Sequence, residues 1–342
     1  MSTKHIGKQT AQLSSPPVIT ETFSVVGKKE GNGPLQSYFD RIIEDNTFGE
    51  DSWEKSESKF MNTAIFSVLQ KANLSPTDIQ YLLAGDLLNQ CSSAHYAVRD
   101  TDIPFMGIYG ACSTMAEGLG LAALLVDGGF GDHVIATTSS HFCSAEKQFR
   151  FPLEYGGQRT PTAQWTVTGS GAAIVSAQGS GPQITHVTTG KVVDMGISDV
   201  NNMGAAMAPA AADTIAAHFR DTGYSPSDYD LIVTGDLGTV GRQLNIDLLS
   251  QQGFEISSVA DDCGCMIYDF EKEDVHAGGS GCGCSASVFC SKLIHQLRSG
   301  ALRHILFVAT GALMSPTSLK QGETIPCVAH AVRIVSTAAQ KG

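Results

Sequence analysis

Residues 108–114 read IYGACST, and Cys112 stands where a glycine turn gives way to the alanine–leucine stretch of 116–126. A cysteine at a helix start is a place where acyl-transfer chemistry can keep its nucleophile. The thiolate attacks the carbonyl, and helix N-terminal amides favour the thiolate. The amides of Cys112, Ser113 and Thr114 also form a candidate cradle for an anion. Lys147 and Arg150 follow in EKQFRF, with Arg159 a little later, and concentrate positive charge in an acidic chain. They read either as a cationic rim, with arginine suited to a planar carboxylate, or as a salt-bridged surface loop.

Further along, His276 and His330 could approach a pocket at Cys112, although a histidine beside a glycine turn also serves structure. Two Cys-x-Cys pairs, Cys263/Cys265 and Cys282/Cys284, suggest a metal, but structural zinc wants two to four residues between its cysteines. Small buried residues beside glycines are the simpler reading, and no metal is expected. GGSGCGCS, from 278, lacks the lysine of a phosphate-binding loop.

These residues must be positioned by a scaffold, and the sequence states that scaffold twice. SPTDIQYLLAGDLL (75–88) is answered 150 residues later by SPSDYDLIVTGDLG (225–238). Cys112-Ser113 is answered by Cys284-Ser285, and DHVIATTSS (132–140) by HILFVATGA (304–312), each at a separation of 172. Two echoes in the same order imply an internal duplication, with halves at 1–178 and 179–342 joined through the Gly/Ser-rich SAQGSGPQ. The difference in spacing places the extra residues of the second half around 258–279. Residues 52–73 predict a helix, with Phe60, Ala64, Val68 and Ala72 on one face and Met61, Ile65 and Leu69 alongside. YLLAGDLL, HVIATTSS and GAAIVSA read as strands between helices, and IPFMGIYG as a buried strand. The fold class is α/β.

The bulk numbers narrow the function. The 342 residues are 42% hydrophobic and 16% charged, with 36 glycines, enough for a large, tightly packed core. A formal net charge of −12 and no basic stripe exclude nucleic acid as the expected partner. No segment has the length and apolarity of a transmembrane helix or of a secretory signal. The nine cysteines read as thiols in a reducing compartment.

Two related halves with a cysteine at a strand-to-helix junction resemble the thiolase-like superfamily of thiolases and ketoacyl synthases. The resemblance implies a duplicated five-layer αβαβα fold and, by analogy, a homodimer. Within it, four segments (146–173, 203–223, 277–286 and 321–332) are similar to the stage V sporulation protein AD family of endospore-forming bacteria. In ketoacyl synthases the strand matching DLIVTGDLG leads into a Pro-His-x-x-Asn motif that supplies the catalytic histidine. This chain has Thr234-Gly235-Asp236-Leu237-Gly238 there, with neither imidazole nor amide. The thiolase motif His-Pro-x-Gly-x-Ser-Gly is matched by HAGGSG from His276, one residue short and without the proline.

The resemblance therefore implies a non-catalytic protein that uses the old cavity for dipicolinate (pyridine-2,6-dicarboxylate), free or with calcium, and no other cofactor. Its partners would be the other stage V A membrane proteins, and its place the forespore, peripheral at the spore inner membrane. The binding residues expected on this reading are Cys112, Ser113, Thr114, Lys147 and Arg150. The alternative is an acyl-transferring enzyme using Cys112, His276 and Cys327.

Overall fold

Ser75 and Ser225 open the same local structure. In the computed structural model, which describes residues 4–149 and 158–339, each serine N–H donates to the aspartate three residues on, Asp78 at 2.7 Å and Asp228 at 2.8 Å. Each closes a capping box over a single 3-10 turn begun by proline. The turns deliver the chain into strands Tyr81–Gly85 and Leu231–Thr234. The first sequence echo is therefore an echo of conformation.

The strands extend the repeat. In the first half, β1 (Val18–Gly27), β2 (Tyr81–Gly85), β3 (Phe105–Gly107), β4 (His133–Ser140) and β5 (Gly169–Ser176) lie in the order β1-β5-β4-β2-β3. In the second, β6 (Gln183–Thr188), β7 (Leu231–Thr234), β8 (Ala260–Asp262), β9 (His304–Ala312) and β10 (Cys327–Val335) lie in the order β6-β10-β9-β7-β8. The directions match as well. The first two pairings of each half-sheet are antiparallel and the last two parallel. The half-sheets join where Gln183 of β6 pairs with Val18 of β1.

Helices complete five layers. α1 (Trp53–Ala72) starts at Ser52, whose side chain accepts the Lys55 N–H, and ends at Asn73 in the left-handed region. Its Phe60, Met61, Ile65 and Val68 bury against the outer face of the first half-sheet, on Leu82, Ile135 and Ile174. α2 (Thr114–Asp127) lies between the half-sheets, and α3 (Phe142–Phe149) follows β4. α4 (Met203–Thr222) and α5 (Gly238–Ser250) belong to the second half, and Met207 and Ile215 of α4 cover Leu306 and Val308. α6 (Cys282–Val288), extended by a π turn and a last helical turn to Ser299, lies beside α2 in the middle layer.

Strand alternation explains why one sheet serves two cores. Ile135 and Ile174 face α1, whereas Val134, Ala136 and Val175 face the middle layer. The small residues of α2 let it approach the second half closely. A Cβ on Gly120 would lie 2.9 Å from Val187.

One expectation needs correction. IPFMGIYG contains a strand, but β3 is an edge strand with Met106 and Gly107 exposed, because it pairs with β2 alone among the described strands. An apolar run of three or four residues reads the same at an edge as in the centre. The extra residues of the second half fall as expected, between β8 and α6, where a long excursion replaces the short link from β3 to α2.

Candidate functional site

The turn at Cys112 is made by a local crowding of backbone. Ala111 takes a positive φ of 49°, a strained conformation for a residue with a side chain. It is held there from both sides. Ser113 Oγ donates to Gly110 O at 2.7 Å, and Thr114 Oγ1 donates to Ala111 O at 2.6 Å. From the second half, Gly311 of β9 presses on the same turn: a Cβ there would lie 1.9 Å from Gly110 O. Cys112 thus sits in a 3-10 turn (Ala111–Ser113) just ahead of α2, buried to 3% exposure.

Beside it opens a cavity of about 560 Å³. Both halves build it: Leu87, Tyr109, Cys112 and Phe149 come from the first, Met203, Ser280, Met314 and Cys327 from the second. Most of the wall is apolar. Glu146 is the carboxylate in the described lining, which contains no lysine or arginine. Glu146 pairs with Arg159 at 3.5 Å, and that guanidinium lies over the rings of Trp165 and Phe142, at 5.1 and 5.7 Å.

Behind Cys112 stands Asp236, fully buried in the loop after β7. Its Oδ2 accepts the Gly281 N–H at 2.9 Å and the Ser280 hydroxyl at 3.4 Å, while Oδ1 has no hydrogen-bond partner among the described residues. The Cys112 thiol abuts this carboxylate, close enough for each to perturb the other. Burial pushes Asp236 up to about 7, against the lowering pull of the Cys112 thiol and the Gly281 amide. Cys112 itself is pushed well above the ordinary thiol value, first by burial, then by the charge of Asp236 and by Cys282. This reverses the expectation that helix amides would favour the thiolate, because burial of the thiol, with a carboxylate beside it, outweighs partial backbone charges.

The other expected residues divide. Cys327 shares the cavity with Cys112, and burial pushes its thiol up to about 12. Ser113 and Thr114 do not present their amides: those N–H groups close the 3-10 turn onto Gly110 O and Ala111 O, and both side chains are buried. Lys147 pairs with Glu54 at 2.8 Å, is largely exposed, and is not among the cavity-lining residues. A partner on α1 draws it away from the rim. Arg150 lies outside the described residues. His276, at a positive φ of 50°, pairs with Asp274 at 3.2 Å and does not line the cavity. His330 is largely buried, held down to about 4, and its Nδ1 accepts the Gly190 N–H. Cys263, Cys282 and Cys284 are buried in the protein interior, and no group of three or more metal-ligating side chains occurs among the described residues.

Sequence reasoning passed over Asp236 and Glu146. Asp236 stood in the repeated Gly-Asp-Leu, a signal that the repeat marked but whose side-chain direction it did not give. Glu146 stood in the same short run as Lys147.

Three comparisons with known proteins bear on this architecture. The family description "Stage V sporulation protein AD" matches residues 7–335. The chain belongs to the stage V sporulation protein AD family. The stage V sporulation protein AD of Bacillus subtilis (strain 168) is 49% identical over 329 residues, covering 96% of this chain and 97% of that one. Among solved structures, 3-oxoacyl-[acyl-carrier-protein] synthase III of Aquifex aeolicus VF5 matches this family member with a TM-score of 0.57. Its identity is 13%, over 93% of this chain and 99% of that one. Cerulenin-bound OleA of Xanthomonas campestris matches with a TM-score of 0.57 and 13% identity, over 97% and 100%. At such identities these two show the shared fold, which is thiolase-like. No described helix of this stage V sporulation protein AD family member is long and apolar enough to cross a membrane.

Proposed function

We propose that this protein is a non-catalytic binding protein that holds dipicolinate in the cavity beside Cys112. On this reading it supports uptake of the ligand into the developing spore together with the other stage V A membrane proteins, peripheral at the spore inner membrane. The observation that carries the proposal is the pairing of Cys112 with Asp236. Acyl transfer needs a thiolate and a group that handles the proton or the developing charge. Here the stretch that matches the histidine-bearing motif of ketoacyl synthases has Gly235 at the histidine's place, and burial of the thiol together with the neighbouring Asp236 carboxylate disfavours the thiolate. The cavity is kept while its nucleophile is quenched.

The apolar walls suit a flat aromatic ring, and the ligand's charge sets the harder condition. Two carboxylates ionise near pH ~4, so free dipicolinate carries about two negative charges at neutrality. Arg159 reaches the described lining through its ion pair with Glu146. Arg150 and a calcium ion carried in with the ligand are the remaining sources of compensation.

Calorimetry with free and with calcium-loaded dipicolinate tests the reading, alongside intact-mass measurement after incubation with acyl-CoA. Saturable binding and no mass increase are expected. A thioester on Cys112 would establish the acyl-transferring alternative, and absence of binding in both forms would remove the proposal.

A further inference from the structure

The cavity's polar side chains nearest its floor, Cys112 and Ser280, lean on one carboxylate. Asp236 is completely buried, takes donors on Oδ2 from Gly281 and Ser280, and keeps Oδ1 without a partner among the described residues. The groups facing it come from every neighbouring element. Cys112 comes from the turn before α2, Cys282 and Cys284 from α6, Asp262 and Cys263 from β8 and the turn after it, and Cys327 from β10. Gln164 Nε2 donates to the Asp236 backbone carbonyl at 2.7 Å. None of these groups is cationic. Asp262 is already occupied by the amides of Leu237, Gly238 and Cys265 and by the Thr234 hydroxyl. A buried carboxylate without a cation is relieved by a proton.

That proton changes what the cavity offers. When Asp236 is charged it acts as an acceptor alone, so the Ser280 O–H and the Cys112 S–H turn inward and leave lone pairs toward the cavity. Such a surface repels the oxygens of an anion. When Asp236 is protonated, Oδ1–H becomes a donor to its neighbours, and a hydroxyl or thiol hydrogen is released to point into the cavity. We propose that Asp236 is a positioning residue that makes binding of a carboxylate-bearing ligand take up one proton, acting through Cys112 and Ser280. The proton comes from solvent and resides on the Asp236 carboxyl. The inference rests on the binding reading above and adds the residue that sets its proton requirement.

The test uses wild-type protein with dipicolinate as the probe. It is titrated calorimetrically from pH 6 to 9 in buffers of different ionisation enthalpy. Because Asp236 loses its proton near 7, affinity should fall about tenfold per pH unit above that point, with close to one proton taken up per ligand. Asp236→Asn should flatten the profile and retain at pH 9 the affinity seen at pH 6. Wild-type binding that is independent of pH, with no proton uptake, would overturn the inference whether or not the variant folds. A ligand-free measurement separates this failure from failure of the binding reading. The pH profile of Cys112 alkylation by iodoacetamide, followed by peptide mass spectrometry, should move down by at least about one unit in Asp236→Asn. If dipicolinate does not bind, the binding reading falls, and an unmoved alkylation profile removes the Asp236–Cys112 coupling as well.

Discussion

Cys112 and Cys284 occupy corresponding places in two half-sheets of the same strand order, yet their surroundings diverge. Cys112 faces a cavity, whereas Cys284 packs in the central core with Cys263, Val288 and Phe289. The aspartates of the two Gly-Asp-Leu segments diverge in parallel. Asp86 gives each oxygen to a backbone amide, Leu88 N–H and Ala94 N–H, both at 2.7 Å. Asp236 leaves one oxygen without a donor beside Cys112. The same local motif thus supports a filled, satisfied interior in one place and an incomplete, polar floor in another. Repetition fixes the scaffold, and the site takes its cavity-facing cysteine from the first copy and its incompletely partnered aspartate from the second.

The largest effect should come from breaking the contact that presses the halves together. Gly311→Val puts a side chain into Gly110 O, and should cost at least ~4 kcal/mol, as relief requires backbone movement. Thermal unfolding should show a drop of many degrees or no folded protein. Next comes the cysteine pair. Cys284→Leu overpacks a full core and should destabilise by about 1–3 kcal/mol. Cys112→Leu has the cavity beside it to expand into, should destabilise less than Cys284→Leu, and should weaken dipicolinate binding at least tenfold. Equal melting temperatures for the two variants would remove the distinction between a filled and an open copy.

The aspartates sharpen the comparison further through pH. Asp86 and Asp236 are raised to about 6 and about 7 by burial, above their unfolded values near 4. Between those limits the folded state holds more protons on these groups than the unfolded one, so their contribution to stability declines as pH rises from about 4 to 7 and then levels. Asp236→Asn removes a buried charge and should raise the melting temperature at pH 8 while flattening the upper part of that decline. Asp86→Asn should instead destabilise by about 1–3 kcal/mol, because an amide has one acceptor for two donors. The smallest effect belongs to Lys147→Ala, which deletes an exposed pair with Glu54. It should change stability by less than ~1 kcal/mol and leave dipicolinate affinity unaltered.

Much of the scaffold was legible because its determinants are local and occur twice. The Ser-Pro-x-Asp echo marked the two repeats, and the stripe through Phe60, Ala64 and Val68 gave α1. The site was less legible where tertiary placement decides the outcome. A 3-10 turn and an α-helix start look alike in ACST, so the consumption of the Ser113 and Thr114 amides could not be read there. Lys147 carries the same charge whether it faces a ligand or Glu54. Asp236 lies at the end of a segment that reads as a strand, and its burial depends on α6, more than forty residues away in the chain.

The contact of Gly311 with the Gly110 carbonyl has a thermodynamic corollary. Cys112 and Cys327 meet at one cavity only when that contact is made, so neither half-sheet alone offers a complete binding surface. A ligand held there would favour the assembled state over any species in which the halves have separated, by RT ln(1 + [L]/Kd). At a hundred times Kd this amounts to about 2.7 kcal/mol, all of it acting on the seam between the halves. Ligand binding would then act as a clasp, slowing proteolysis and hydrogen exchange first at the β9 and Gly110 edges and least on the outer face of α1.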